Sequence, residues 1–314
     1  MTDHTPCDAA INATPFVLSA DLSVEQGLQI IVGNCLTHIQ GNLPGVRQTG
    51  DIEYVHQMRI GLRRLRSALQ IFDEVRNCPT NIQSELAWLT DQLGNARDWD
   101  VLGTFTLPAL ADKVIDLPGL DQLQKQVQQV ARRKRQRCAA AVDSTRSARL
   151  WGSLENWLED TDRNILHTAS SIDCMSMPLP HFATRVLPHY QRKLRARYGA
   201  MEPGDPHSRH RVRISAKKLR YAAEFFQSYY SGKSAHRFIT RLAALQDALG
   251  ISNDTTVAEQ LLRDLPHKLP DLVESCAYAR GYLAASDASR LVHLEKLIHR
   301  FTKLKKLRQR ALSH

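Results

Sequence analysis

Apolar residues recur three and four positions apart over long stretches of this chain, and period-two alternation is nearly absent. The first spacing gathers side chains on one face of an α-helix, whereas a half-buried strand would need the second. The pattern predicts helices at roughly 23–41, 51–76, 80–94, 98–115, 120–160, 180–199, 207–230, 234–249, 253–265 and 270–311. Breaks are expected at Leu43-Pro44-Gly45, Cys78-Pro79, Leu117-Pro118-Gly119, Pro178 to Pro180, Glu202 to Pro206 and Lys268 to Pro270, where glycine and proline cluster. Asp51 and Asp205 stand where helix N-caps belong, because a short carboxylate can accept from the exposed first-turn amides. The residues before about 20 read as a flexible tail.

A repeat underlies the helices. VHQMRIGLRRLRSALQIF, from Val55, aligns with RHRVRISAKKLRYAAEFF, from Arg209. His56 pairs with His210, Arg59 with Arg213, Arg63 with Lys217, Arg66 with Arg220 and Phe72 with Phe226. Further on, LTDQLGNARDWDVL from Leu89 aligns with LQDALGISNDTTVA from Leu245, with Asn253 in place of Arg97 and Thr256 in place of Asp100. Two matches in the same order, at nearly the same offset, indicate an internal duplication. Each half is expected to be a helical bundle, the two halves packing about a pseudo-twofold axis. One half covers about 21–165 and the other about 178–314.

On a helical wheel Met58, Leu62, Leu65, Leu69 and Phe72 share a sector of roughly 80°, which predicts the core face. His56, Arg59, Arg63 and Arg66 occupy the adjoining sector. In the second copy Val212, Ala216, Leu219, Ala223 and Phe226 face the core beside His210, Arg213, Lys217 and Arg220. Acidic residues at i,i+4, the usual companions of a solvated basic face, are missing from both stripes in this reading. Like charges one turn apart are destabilising by a few tenths of a kcal/mol per pair, so their retention in both copies points to an anion that relieves the repulsion. Arg59 to Arg66 covers about 10 Å of helix axis, a length that suits an extended ligand better than a single phosphate.

Net charge agrees with that reading: 42 Lys and Arg stand against 32 Asp and Glu, a balance of +10. Secondary basic candidates are Arg185, Arg192 and Arg195 on one helix, and Lys296, Lys303, Lys306 and Arg310 on the last. The run Arg132 to Arg135 points around its helix and cannot form one surface. His207 and His210 lie three apart, but no third metal ligand accompanies them, so no metal and no cofactor are expected. The six scattered cysteines form no paired spacing and suit a reducing compartment. No segment has the makings of a secretory leader or a membrane span, so a cytoplasmic, soluble protein without membrane partners is expected.

Catalytic signatures are missing: there is no phosphate-loop, zinc-protease or nucleophile-elbow motif. The best carboxylate cluster is Asp91, Asp98 and Asp100 with Asp247 and Asp254, which a structural role also explains, with Asp98 and Asp254 capping a helix after a Leu-Gly contact.

The element H-x-x-R-[IV]-x-x-[RK]-[RK]-L-R, at His56 to Arg66 and again at His210 to Arg220, resembles the CHAD family, the conserved histidine α-helical domain. L-G-x-x-R-D-x-D-V at Leu93 to Val101, with a degenerate copy at Leu249 to Val257, strengthens the resemblance, which extends from about 22 to 311. It implies an all-α fold of two four-helix bundles around a basic central channel. It also implies binding of inorganic polyphosphate and recruitment to polyphosphate granules and their proteins. The ligand residues it implies are His56, Arg59, Arg63, Arg64, Arg66, His210, Arg213, Lys217, Lys218 and Arg220, with Arg64 and Lys218 pointing partly away on the wheel. Binding rather than catalysis is the expected activity. The alternatives are a nucleic-acid binder, disfavoured because neither stripe interleaves stacking aromatics, and a polyphosphate-metabolising enzyme.

Overall fold

Periodicity and caps together account for most of the elements in the computed structural model, which describes residues 9–48, 51–113, 119–160, 174–202, 204–230, 232–267 and 269–302. In chain order these are α1 (Val24–Gln48), α2 (Ile52–Ile71), α3 (Thr80–Val101), a π-helical turn (Leu102–Thr106), α4 (Leu107–Ala111), α5 (Leu120–Val142), α6 (Thr145–Glu159), α7 (Leu179–Gly199), α8 (Pro206–Phe225), α9 (Gly232–Asp264) and α10 (Val273–Thr302). Short 3-10 turns occupy Gln227–Tyr229, Leu265–His267 and Pro270–Leu272. An isolated β-type bridge pairs Ser23 with Pro178, and no strand is formed among the described residues. The fold is all-α.

Several expected boundaries moved. α1 continues through Pro44, because Gly45 lies directly against the Tyr54 ring and Val46 is buried. That packing offsets the ~3 kcal/mol an interior proline costs. α3 runs through Gly94 and α9 through Gly250, since one helical glycine costs only about 1 kcal/mol and no proline follows. Asp98 and Asp254 therefore lie inside helices and cap nothing. The stretch expected as one helix over 120–160 breaks at Asp143-Ser144, where the Ser144 hydroxyl accepts from the Ser147 amide at 3.2 Å and starts α6.

Packing divides the chain into two compact units that do not follow chain order. The first joins residues up to Arg97 with Arg132–Phe182, and the second joins Asp98–Ala131 with residues from Ala183 onward. In the first unit α1 packs along α2 with the two backbones close. A Cβ on Gly61 would meet Ile39 Cγ1 at 2.6 Å, so only glycine permits that approach. Phe72, fully buried, stacks on Phe182 with centroids 5.0 Å apart. In the second unit α9 packs on α8 and α10. A cluster from Trp99 through Leu110 and Leu123 to Leu262, Cys276 and Leu283 anchors the 98–131 segment to the end of α9 and the start of α10. Gly119 opens α5 with φ of 75°, in the left-handed region glycine tolerates, and a Cβ there would meet Ser275 Oγ at 2.6 Å.

Candidate functional site

Each basic stripe lies on a helix whose start is fixed by an aspartate. The Asp51 carboxylate accepts from the Glu53 amide at 2.8 Å. Asp205 accepts from the amides of His207 and Ser208 at 2.9 and 2.8 Å. These caps set the phase of α2 and α8 so that Met58, Leu62 and Leu65, and likewise Val212, Ala216 and Leu219, are wholly buried. The basic residues then fall on the flank of the core face. His56, Arg59, Arg63, Arg66, Arg213, Lys217 and Arg220 are half-buried, and His210 is exposed. A half-buried cation keeps its charged tip reachable while its stem packs, which restricts its rotamers before any ligand arrives.

In the first unit α3 crosses this flank. Arg59 Nη1 donates to the Gly94 carbonyl at 3.3 Å, and the guanidinium carbon lies 3.8 Å from where a Gly94 Cβ would be. Arg97 sits one turn further along α3. Burial lowers the His56 pKa below that of an ordinary imidazole. Arg97 is the next cause, Arg63 and Arg59 add to it, and Glu53 opposes them. The neutral ring is thus favoured when no anion is present. Glu53 accepts from Gln57 Nε2 at 2.7 Å, and Gln57 Oε1 faces His38 Nε2 at 3.2 Å. Arg63 Nε is buried and donates no hydrogen bond among the described residues.

In the second unit α9 packs on α8. His210 Nδ1 lies 3.3 Å from Asn253 Oδ1, and the Asn253 amide is within 3.5 Å of Asp254 Oδ1. The expectation that neither stripe has an acidic companion is corrected here. Arg220 Nε pairs with Glu224 Oε1 at 3.0 Å, an i,i+4 pair just beyond the repeated motif. The pair is about a quarter exposed and of the kind worth only a few tenths of a kcal/mol, so a stronger anion can compete for the guanidinium. The Arg220 guanidinium also lies 5.6 Å from the centroid of Tyr221, a ring that is itself buried.

Other candidate residues lie away from these flanks or differ in exposure. Arg64 is buried on the α1 side, where Nη2 donates to Asn34 Oδ1 at 3.2 Å beside Cys35 and His38. Burial pushes the Cys35 thiol up to about 11 against the opposing charge of Arg64. Lys218 is half-buried. Arg185, Arg192 and Arg195 on α7, and Lys296 on α10, are exposed. Lys303, Lys306 and Arg310 lie outside the described residues. Asp91, Asp247 and Asp254 are exposed, Asp98 is half-buried and Asp100 is buried. No group of three His, Cys, Asp or Glu that could hold a metal occurs among the described residues. Motif reading left out Arg97, which the L-G-x-x-R element carries in the first copy alone and which lies among the charges around His56.

Comparisons with known proteins agree with this architecture. The profile of the CHAD domain matches residues 30–263. The crystal structure of the CHAD domain from the plant Ricinus communis is similar over 96% of this chain and 100% of its own, at 38% identity and a TM-score of 0.85. PptA from Streptomyces chartreusis shares the fold over 90% of this chain and 100% of its own, at 17% identity and a TM-score of 0.65. No curated protein matches significantly.

Proposed function

The chain belongs to the CHAD domain family, and from that membership we propose that it binds inorganic polyphosphate, without catalysis, through the basic flanks of α2 and α8. The observation that carries this reading is the repeated row of half-buried cations, His56, Arg59, Arg63 and Arg66 on α2 and Arg213, Lys217 and Arg220 on α8 with His210 at its head. Guanidinium groups spaced about one turn apart present donors every ~5 Å along the helix, and an extended phosphate chain supplies an acceptor oxygen near each. Binding releases counterions from the phosphates and relieves the repulsion between the stacked cations.

Selectivity follows from what the stripes omit. Single-stranded nucleic acids are usually held by aromatic side chains that stack on bases. Tyr221, whose ring centroid lies 5.6 Å from the Arg220 guanidinium, is only 3% accessible and packs against Phe225 instead. Phosphate is then the whole of what is recognised. No helix among the described residues is long and apolar enough to cross a membrane, and association with polyphosphate granules and their proteins in the cytoplasm is part of the proposal.

Competition tests it. Labelled long-chain polyphosphate bound to the full chain should be displaced by unlabelled polyphosphate far better than by RNA, single-stranded DNA or duplex DNA at equal phosphate. Equal displacement by nucleic acid would replace the proposal with general polyanion binding. Release of orthophosphate by the pure protein would replace it with an enzyme.

A further inference from the structure

The two copies of the basic motif are not chemically equivalent, and the difference lies on the neighbouring helix. In the first unit, the α3 turn from Gly94 to Arg97 lies against the α2 turn from His56 to Arg59, fixed by the 3.3 Å bond from Arg59 to the Gly94 carbonyl. In the second, the α9 residue aligned with Arg97 is Asn253, and its carboxamide oxygen is 3.3 Å from His210 Nδ1. The motif histidine of each unit thus faces the same position of the repeat, once filled by a cation and once by a neutral amide. We propose that Arg97 extends the anion site of the first unit from α2 onto α3, giving that site one more cation than its counterpart and making it the tighter of the two. This inference rests on the polyphosphate reading given above.

Local charge supports it. Around His56 the facing charged groups are Arg59, Arg63 and Glu53 on α2 and Arg97 on α3, three cations against one carboxylate. Their field and burial together hold the ring below its ordinary pKa. A chain of phosphates entering there meets cations from two helices, Arg97 being half-buried like the stripe residues. Asn253, by contrast, adds no charge, and its amide hydrogens turn toward Asp254.

Reciprocal exchange tests the assignment, with anisotropy of labelled long-chain polyphosphate on the full chain as the readout. Arg97→Asn should weaken binding and make the plot of log affinity against log salt shallower by about 0.7–0.9, the increment per neutralised phosphate in nucleic-acid systems. Between about 50 and 200 mM salt this amounts to roughly a 3-fold smaller loss of affinity. Asn253→Arg should steepen the slope by the same amount. Arg97→Lys should restore the parental slope, which a purely structural role for the arginine would not require. The assignment is overturned if Arg97→Asn matches the parent in slope and affinity while Arg63→Glu weakens binding, or if Arg97→Lys fails to restore the slope. Failure of the parent protein to bind, or indifference to Arg63→Glu, would instead overturn the polyphosphate reading and the inference with it.

Discussion

Protonation of His56 should couple polyphosphate affinity to pH, and the structure fixes the sign. In the free protein, burial first and the Arg97 charge second hold the imidazole below its ordinary pKa, with Arg63 and Arg59 adding and Glu53 opposing. A bound polyanion reverses the field at the ring and raises its pKa, so binding takes up a proton at any pH between the two values. Affinity should therefore rise as pH falls through that window, by at most about tenfold per pH unit for one proton. The free protein behaves oppositely. Its unfolded state binds the proton more readily than the folded state, so His56 lowers unliganded stability as pH drops below the ordinary imidazole value. Titrating labelled polyphosphate at constant ionic strength from pH 8 to 5.5 measures the first effect, and urea unfolding without ligand measures the second. His56→Gln should flatten the affinity profile in proportion to the share His56 carries. An affinity that does not vary with pH, or a pH dependence undiminished in His56→Gln, would refute the reasoning.

Two further predictions concern the frame that presents the stripes. Gly61→Ala places a Cβ 2.6 Å from Ile39 Cγ1 and 3.4 Å from the Ile39 backbone nitrogen, so overpacking of about 1–3 kcal/mol should outweigh a helix-propensity gain of about 1 kcal/mol. Its urea midpoint should fall with an unchanged slope, and a midpoint at or above the parent's would contradict the close α1–α2 crossing. The Asp205 carboxyl is held below the usual carboxylate range by the His207 amide foremost and by that of Ser208, with burial opposing. Its cap therefore stabilises above the ordinary carboxylate pKa and is lost as pH falls through the lowered folded value. Asp205→Ala should lower the urea midpoint at neutral pH, with the gap closing in acid, and a gap independent of pH would rule out the charged cap.

Local signals made both stripes legible. Asp51 and Asp205 cap their helices through residues two and three positions away, and the 3.6-residue period carries the core face from Met58 to Phe72. What could not be read locally depends on packing between distant segments. Pro44-Gly45 and Gly94 look like breaks until the Tyr54 ring is brought against Gly45 and the Arg59 guanidinium beside Gly94. The wheel already turns Arg64 partly away from the stripe but does not show its partner there, Asn34 on α1, which covers that side of α2. The passage of residues 98–131 into the second unit follows from the contact of Leu110 and Leu123 with Leu262 and Leu283, which lie well over a hundred residues away. Arg97 gained its place beside His56 in the same way, through a helix crossing that no single-helix wheel contains.

Charge reversal on the stripes, set against reversal elsewhere, tests the central claim most directly. Arg63→Glu on α2 and Lys217→Glu on α8 change half-buried stripe positions, and both leave the buried Leu65 and Leu219 untouched. Arg133→Glu on α5 makes the same change in net charge at an exposed position outside either stripe. With labelled polyphosphate at fixed salt, each stripe variant should bind far more weakly than the parent and show a shallower salt slope, while its thermal midpoint stays near the parent's. Arg133→Glu should bind almost as the parent does. Equal losses in all three would mean that net charge alone attracts the ligand, and the two basic helices would not be the binding site.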